Sequence, residues 1–411
     1  MTSGILIVGA GQAGMQIADS LRENGYQGEV TLVGDELIPP YQRPPLSKAY
    51  LYGDADEESL QFRNEKFYAD NNINLVLGDS VVAVEMGTDG GTATTASGKK
   101  IGFSKMALTP GSVPRKLEIP GSDLDGVLYM RSIADARALK SRWNGANSVV
   151  VIGGGFIGLE VAAVARKAGK KVTVLEGGDR MMARAVCPTT SEDFKDAHER
   201  RGAEIVLNAR IDHFEGHGSK VSGVALQDGT VIPADIVMVG IGVVARTEVA
   251  NLLGLELANG AIVVNEYAET SNPLVVAAGD AVLLPNPTGA EGQVRLESVQ
   301  NAVDQAKTAA RTLAGEREQY HALPWFWSDQ ADIKLQIAGL STGYDQTVVR
   351  GNAAEDSFSV LYYKNGRLLA ADCINHPVDF MAARRCLTAG QTIDPQAAAD
   401  SSVALKTLIT D

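Results

Sequence analysis

The chain opens on an apolar run, Ile5-Leu6-Ile7-Val8, that empties into Gly9-Ala10-Gly11-Gln12-Ala13-Gly14. The same order returns at Val149-Val150-Val151-Ile152, followed by Gly153-Gly154-Gly155-Phe156-Ile157-Gly158. Apolar residues without alternation predict a strand buried on both faces. Behind each turn, small and apolar positions recur at helical spacing, with Ile17, Ala18 and Leu21 marking the buried face after the first. Each stretch therefore reads as strand, tight turn and helix, with a pyrophosphate expected on the helix N-terminus. The first glycine of each G-x-G-x-x-G permits the turn, the second admits the phosphate, and the third lets helix and strand pack closely. One such turn is a weak signal. Two in one chain predict two bound dinucleotides.

The strands that follow carry the next information. Val30-Thr31-Leu32-Val33 is followed by Gly34, then Asp35 and Glu36. A Rossmann unit normally closes this strand with an acid that accepts the ribose hydroxyls, so Asp35 or Glu36 is the candidate, displaced by one or two positions. In the second unit Lys171-Val172-Thr173-Val174-Leu175 ends directly on Glu176. A carboxylate there accepts from a free 2′-hydroxyl and repels a 2′-phosphate, which favours NAD over NADP; the nearest basic residue that could welcome that phosphate is Arg180.

Residues 72–110 read as short strands and turns with a hairpin tip at Gly90-Gly91, and close on Met106-Ala107-Leu108-Thr109-Pro110-Gly111. A connecting helix is expected from Asp123 to Trp143. The run Thr270 to Asp280 is a buried strand that ends in Gly279-Asp280, placing a carboxylate at the carboxyl end of a sheet, where the ligand crevice lies. A helix over roughly Glu297 to Leu313 presents Val299, Ala302, Val303, Ala306 and Ala310 on one face. From Pro324 onward the chain is more aromatic and strand-like and has no nucleotide motif. Read alone, Trp325 and Trp327 would be core residues.

Composition narrows the picture. At 411 residues, with 45% hydrophobic and 21% charged content, the chain has the balance of a globular protein of two or three domains. No apolar run approaches the roughly 18 residues a membrane helix needs. A net charge of −13 argues against nucleic acid and anionic membranes as partners, yet a local basic patch could still dock an acidic protein. Cys187, Cys373 and Cys386 form no C-x-x-C and no metal-ligand spacing, so unpaired thiols in a reducing, cytoplasmic setting and no metal are expected. Tyr41-Gln42-Arg43-Pro44-Pro45-Leu46-Ser47-Lys48 is a loop stiffened by two prolines, which by itself reads as a surface turn with solvated charges.

Taken together, the first glycine turn, Arg43 to Lys48, Gly153 to Glu160, Thr270 to Asp280 and Trp325-Phe326-Trp327-Ser328-Asp329-Gln330 resemble the ferredoxin-reductase branch of the two-dinucleotide-fold flavoproteins. The likeness spans the chain and is closest to the NADH-dependent reductases serving cytochrome P450s and aromatic-ring dioxygenases, of which putidaredoxin reductase is the type. The resemblance implies an α/β fold with two Rossmann-like domains of the glutathione-reductase type and a C-terminal α+β domain. FAD would occupy residues 1–115 with 245–323, NADH residues 116–244, and the C-terminal domain residues 324–411. Gly9, Gly11 and Gly14 would hold the FAD pyrophosphate and Asp280 the ribityl hydroxyls or adjoining phosphate, with Asp35, Arg43, Thr109, Arg131 and Val299 as further cofactor contacts. Gly153, Gly155 and Gly158 would hold NADH, with Glu176 on its ribose. Lys48 and Glu160 would meet as an ion pair near flavin N5 and the nicotinamide, and Trp327 would flank the isoalloxazine. The helix near Glu297 would aim its N-terminus at the flavin N1–O2 edge. Two positions depart from the family pattern: Gly34 replaces the first ribose acid, and Val276 stands where an aromatic is frequent.

The implied reaction passes electrons from NADH through FAD to a two-iron two-sulfur ferredoxin that supplies a cytochrome P450 or ring-hydroxylating oxygenase. No cysteine precedes Cys187, so the redox cysteines that disulfide reductases, NADH oxidases and peroxidases of this architecture keep behind the first glycine turn are absent. The alternatives are a rubredoxin or quinone reductase, and a flavin-based redox sensor in the manner of apoptosis-inducing factor. Arg295, Arg311 and the pair Arg384-Arg385 are candidates for docking an acidic carrier, against the plainer reading of each as solvated surface.

Overall fold

The computed structural model describes residues 4–411. They group into two compact units, one formed by the chain up to Gln42, Glu57–Val113 and Val244–Pro324, the other by Arg43–Asp56, Pro114–Val243 and Trp325–Asp411.

The first unit is built on a five-stranded parallel sheet in the order Val275–Ala277, Lys105–Leu108, Gly4–Val8, Glu29–Gly34, Ile73–Leu77. Its central strand shows why the opening run has no polar face. Ile5 and Ile7 pack with Ile17, Leu21 and Ala306, while Leu6 and Val8 enter a second cluster with Phe103 and Val282. The helices Gln12–Glu23 and Val299–Ala314 lie together in the first of these layers. The second helix starts two residues later than the periodicity predicts, because Ser298 caps it: its hydroxyl accepts from Asn301 N at 3.0 Å. A meander of Val81–Gly87, Gly90–Thr95 and Lys100–Phe103 completes this side. Its tip is Thr88-Asp89, not the glycine pair. Gly90 instead begins the returning strand at φ +137°, where a Cβ would fall 2.1 Å from Phe103 O.

The second unit repeats the plan. Glu204–Val206, Lys171–Leu175, Ser148–Ile152, Ile236–Val239 and Val127–Leu128 form a parallel sheet in that order. The connecting helix covers only Ile133–Trp143. Ser132 and Asp135 close a capping box that fixes its start, and the residues before it form turns and the edge strand. The C-terminal part is an antiparallel sheet in the order Trp325–Gln330, Ile333–Gly339, Arg367–Ile374, Ser357–Lys364, Gln346–Asn352, covered by the helix Pro377–Thr388.

A buried polar cluster ties these parts of the second unit together. Asp372 is fully buried, and its Oδ2 accepts from Thr190 Oγ1 at 3.0 Å and from the Tyr362 hydroxyl. The Tyr362 oxygen accepts in turn from Cys187 N at 2.9 Å, at the start of the helix Pro188–Arg200. Burial outweighs these hydrogen bonds and pushes the Asp372 carboxyl up to about 7. A carboxyl whose folded-state pKa is raised stabilises the fold while it is protonated. That contribution is complete below its unfolded value of 3.8 and is lost as pH rises toward 7. Asp372→Asn should therefore remove a loss of stability between about pH 4 and 7, with a slope of at most about 1.4 kcal/mol for each step of one in pH. Urea unfolding of both proteins across that interval checks it; parallel pH profiles for the two would contradict it.

Candidate active site

Both glycine turns have the geometry of a phosphate cradle. In the first unit a Cβ on Gly9 would lie 2.0 Å from Thr109 O, and one on Gly14 would lie 1.9 Å from Gly9 O; Gly11 has nothing within 4 Å. In the second unit Gly153 and Gly158 are equally closed, with Cβ positions 2.4 Å from Gly240 O and 2.5 Å from Gly153 O. Gly155 meets nothing nearer than Gly240 O at 4.0 Å. The outer glycines thus hold backbone against backbone, and the middle ones face open space that a side chain would fill. Gly11 and Gly155 are also the N-caps of their helices, and neither cap provides a side-chain hydrogen bond. Two helix N-termini with uncapped N–H groups, no acid in the first turn and room above the backbone suit a pyrophosphate each.

The flanking residues are engaged in defined ways. Thr109 is buried and its hydroxyl donates to Gly9 O at 2.8 Å, bracing the first turn. Asp280 Oδ2 accepts from Ser112 Oγ at 3.1 Å, and Arg295 steadies the same loop by donating to Asp280 O at 3.1 Å. Arg295 also pairs with Glu297 at 2.5 Å, so this docking candidate has a structural task. Arg311 is likewise paired, with Glu318. Val299 is the first residue of its helix.

The absence of an acid at the end of the first unit's second strand has a steric cause. A Cβ at Gly34 would come 2.5 Å from Ala10 Cβ in the glycine turn, so the strand end itself admits no side chain. Of the two acids behind it, Asp35 pairs with Arg246 at 2.6 Å, and Glu36 Oε2 accepts from the Tyr41 hydroxyl at 2.7 Å. Arg246 lies far along the chain and carries no local signal.

In the second unit Glu176 reaches the turn directly. Its Oε2 accepts from Gly154 N at 2.6 Å and its Oε1 from Gly178 N at 2.7 Å. Arg180 is directed elsewhere, donating to Val186 O at 2.7 Å and Ala183 O at 2.8 Å. Arg210, which no sequence motif marks, donates to Gly177 O at 3.0 Å.

The proline loop is not a solvated turn. Pro44–Ser47 forms a short 3-10 helix with Leu46 and Ser47 buried, and Lys48 follows at the start of the helical turn Ala49–Tyr52. Lys48 Nζ lies 2.7 Å from Glu160 Oε2, and Glu160, on the helix of the second glycine turn, is 5% exposed. Arg43 donates to Arg131 O at 2.8 Å, which brings those two candidates together. Trp325 and Trp327 are half-buried, with ring centroids 5.5 Å apart, and Trp325 packs against the core of the C-terminal sheet. Arg384 lies 5.1 Å over the Trp325 ring.

The profile of the pyridine nucleotide-disulphide oxidoreductases matches residues 3–306, and a reductase C-terminal profile matches residues 325–409. The chain belongs to the pyridine nucleotide-disulphide oxidoreductase family. Rhodocoxin reductase of Rhodococcus erythropolis is 45% identical over 405 residues, covering 98% of this chain and 94% of that protein. Among solved structures, a ferredoxin reductase from Rhodopseudomonas palustris superposes with a TM-score of 0.95 at 42% identity, over 99% of this chain and 100% of the other. Putidaredoxin reductase in its covalent complex with putidaredoxin gives a TM-score of 0.94 at 38% identity, over 99% and 98%. The family's name notwithstanding, the oxidoreductase has three free, buried cysteines and no cysteine before Cys187. Among the described residues there is no cluster of His, Cys, Asp or Glu that could hold a metal, and no helix long and apolar enough to cross a membrane.

The two kinds of glycine should separate on mutation. Gly158→Ala forces backbone apart and should cost about 1–3 kcal/mol of stability. Gly155→Ala meets no chain atom and should leave stability within about 1 kcal/mol, yet weaken NADH at least about tenfold by filling the cradle. Thermal melts and NADH titration of both variants check this; a Gly155→Ala protein with unaltered NADH affinity would remove that turn from the binding site.

Proposed function

We propose that this protein is an NADH-dependent, FAD-containing ferredoxin reductase. It would deliver electrons to a two-iron two-sulfur ferredoxin that supplies a cytochrome P450 or ring-hydroxylating oxygenase. The observation that carries the reading is a pair of open, uncapped glycine turns in a chain with no cysteine placed for disulfide chemistry. FAD, when bound, accepts a hydride from NADH and releases the electrons one at a time.

The residues divide the work. Gly9, Gly11 and Gly14 would hold the FAD pyrophosphate, with Asp280, Thr109, Val299 and one of Asp35 or Glu36 around it. Arg43 and Arg131 are assigned as further cofactor contacts. Gly153, Gly155 and Gly158 would hold NADH. Glu176, fixed by two backbone N–H groups, presents a carboxylate that repels a 2′-phosphate and so selects NADH over NADPH. Lys48 supplies a fixed positive charge, and Glu160 holds both that charge and the nicotinamide amide in register. Trp327, half-buried on its strand, is assigned to the flavin face. A one-electron carrier is then the acceptor that the missing cysteines leave, in a reducing, cytoplasmic setting.

The decisive assay is reduction of cytochrome c by NADH with the purified protein, with and without a two-iron two-sulfur ferredoxin. A large ferredoxin-dependent rate is expected, faster with NADH than NADPH by at least about tenfold. Rapid bleaching of the flavin without that rate would turn the reading toward rubredoxin, quinones or a sensor. Lys48→Ala should slow flavin reduction at saturating NADH by at least about tenfold, as loss of a preorganised charge does. An unchanged stopped-flow rate would take Lys48 out of the mechanism.

A further inference from the structure

Glu160 is bound by more than its lysine. Its Oε2 also accepts from Ser47 Oγ at 2.7 Å, and its Oε1 accepts from Ser328 Oγ at 2.8 Å. Ser328 Oγ accepts in turn from Gln330 Nε2 at 3.3 Å, and Gln330 Oε1 lies 2.7 Å from His198 Nε2. An amide oxygen only accepts, so His198 is the donor through Nε2. The donors therefore run in one direction, from His198 to Gln330 to Ser328, and end on the Glu160 carboxylate. Ser328 and Gln330 are fully buried and His198 is 2% exposed. Burial holds the His198 imidazole below its ordinary pKa, in keeping with a neutral ring that donates through one nitrogen.

The placement of the chain is as specific as its direction. Phe326, Ser328 and Gln330 alternate along the strand Trp325–Gln330 and share a face opposite Trp325 and Trp327. On that face the Phe326 ring lies 4.6 Å from Phe156, and Ser328 meets Glu160. Phe156 and Glu160 are one helical turn apart on the helix that opens at the second glycine turn. One strand face thus grips the helix at its first turn and at its acid. With Oε1 tied to the strand, the carboxylate cannot turn about its last torsion without breaking a buried hydrogen bond.

We propose that Ser328, Gln330 and His198 form a positioning relay that fixes the orientation of Glu160 and, through it, of Lys48 and the nicotinamide amide. The proposal rests on the NADH reading above for its consequence in the reaction. None of the three is assigned a contact with the reacting atoms. Ser328 sets the carboxylate, Gln330 sets which way the Ser328 hydroxyl points, and His198 fixes the Gln330 amide. Two of these residues lie in the Trp-Phe-Trp-Ser-Asp-Gln stretch, where only Trp327 is given a role by the family resemblance.

Three variants of the FAD-loaded protein test it: Ser328→Ala, Ser328→Thr and Gln330→Glu. Gln330→Glu keeps the acceptor toward His198 but removes the donor to Ser328 and offers that hydroxyl a competing acceptor. In stopped flow with NADH, Ser328→Ala and Gln330→Glu should lower the limiting rate of flavin reduction at least about tenfold, with the half-saturating NADH concentration changed less than about threefold. Ser328→Thr, which restores a hydroxyl, should recover the rate to within about threefold. In crystal structures, Glu160 should leave its wild-type orientation and its Lys48 contact in Ser328→Ala and keep both in Ser328→Thr. A lowered melting temperature with wild-type reduction rates and an unmoved Glu160 would overturn the proposal, leaving the relay a packing feature. If NADH fails to bleach even the wild-type flavin, the functional reading falls. The crystallographic comparison, which uses no NADH, still decides whether Ser328 positions Glu160.

Discussion

A buried carboxylate governs the centre of the second unit. Removing Glu160 from water carries a penalty of several kcal/mol unless charge and hydrogen bonds compensate it. The chain supplies both. Lys48 arrives on a loop whose two prolines limit its conformations, Ser47 comes with it, and Ser328 approaches from a strand of the C-terminal sheet. Three segments distant in sequence must converge before Glu160 is satisfied. The acid is therefore a folding constraint as well as a candidate for the chemistry: undocking the loop removes its counter-charge, and undocking the strand removes the hydrogen bond to its second oxygen. This explains why a proline loop that looks solvated in isolation is ordered and partly buried.

The glycine turns express the complementary constraint, close approach without charge. At Gly9, Gly14, Gly153 and Gly158 the missing Cβ is occupied by a backbone atom of the same unit. At Gly11 and Gly155 it is occupied by nothing. The pattern is the same in both turns. Four glycines shape the protein and two leave open space above the backbone. With glycine at both N-caps the missing capping side chain withholds only roughly a few tenths of a kcal/mol each, and leaves N–H groups that an anionic ligand can engage.

Local pattern and long-range contact differ in how far the sequence exposes them. The two strand–turn–helix units, Glu176 at its strand end and the strand into Asp280 all depend on residues close together in the chain, and their spacing is readable. The connecting helix begins at Ile133 rather than near Asp123, and the capping box of Ser132 and Asp135 that sets this start is itself a local signal. The absence of an acid directly after Val33 is legible, but its cause is not, since Ala10 meets Gly34 only after the sheet forms. Ser328 and Gln330 lie in a stretch the sequence marks, but their connection to His198 and Glu160 has no sequence signal. The relay's members lie on a helix and a strand whose only relation is tertiary, and a buried histidine near an amide has no spacing to betray it. Arg246 beside Asp35 and Arg210 beside Gly177 are invisible for the same reason.

The cysteines show how one architecture can support a different second half-reaction. A thiol attacks or exchanges only as its thiolate, and burial opposes that form. Cys187, Cys373 and Cys386 are each at most 2% exposed, and burial raises the pKa of Cys373 and Cys386. Cys187 lies against Thr190 at the foot of a helix, and Cys373 is in a central strand of the C-terminal sheet. All three are enclosed, and none could be recruited without opening the packing around it. The family's disulfide chemistry needs a relay within the chain. Here the Lys48–Glu160 ion pair is held by hydrogen bonds from Ser47 and Ser328, and the three buried cysteines offer no covalent relay. Electrons accepted by such a protein leave to a separate carrier rather than to thiols of its own.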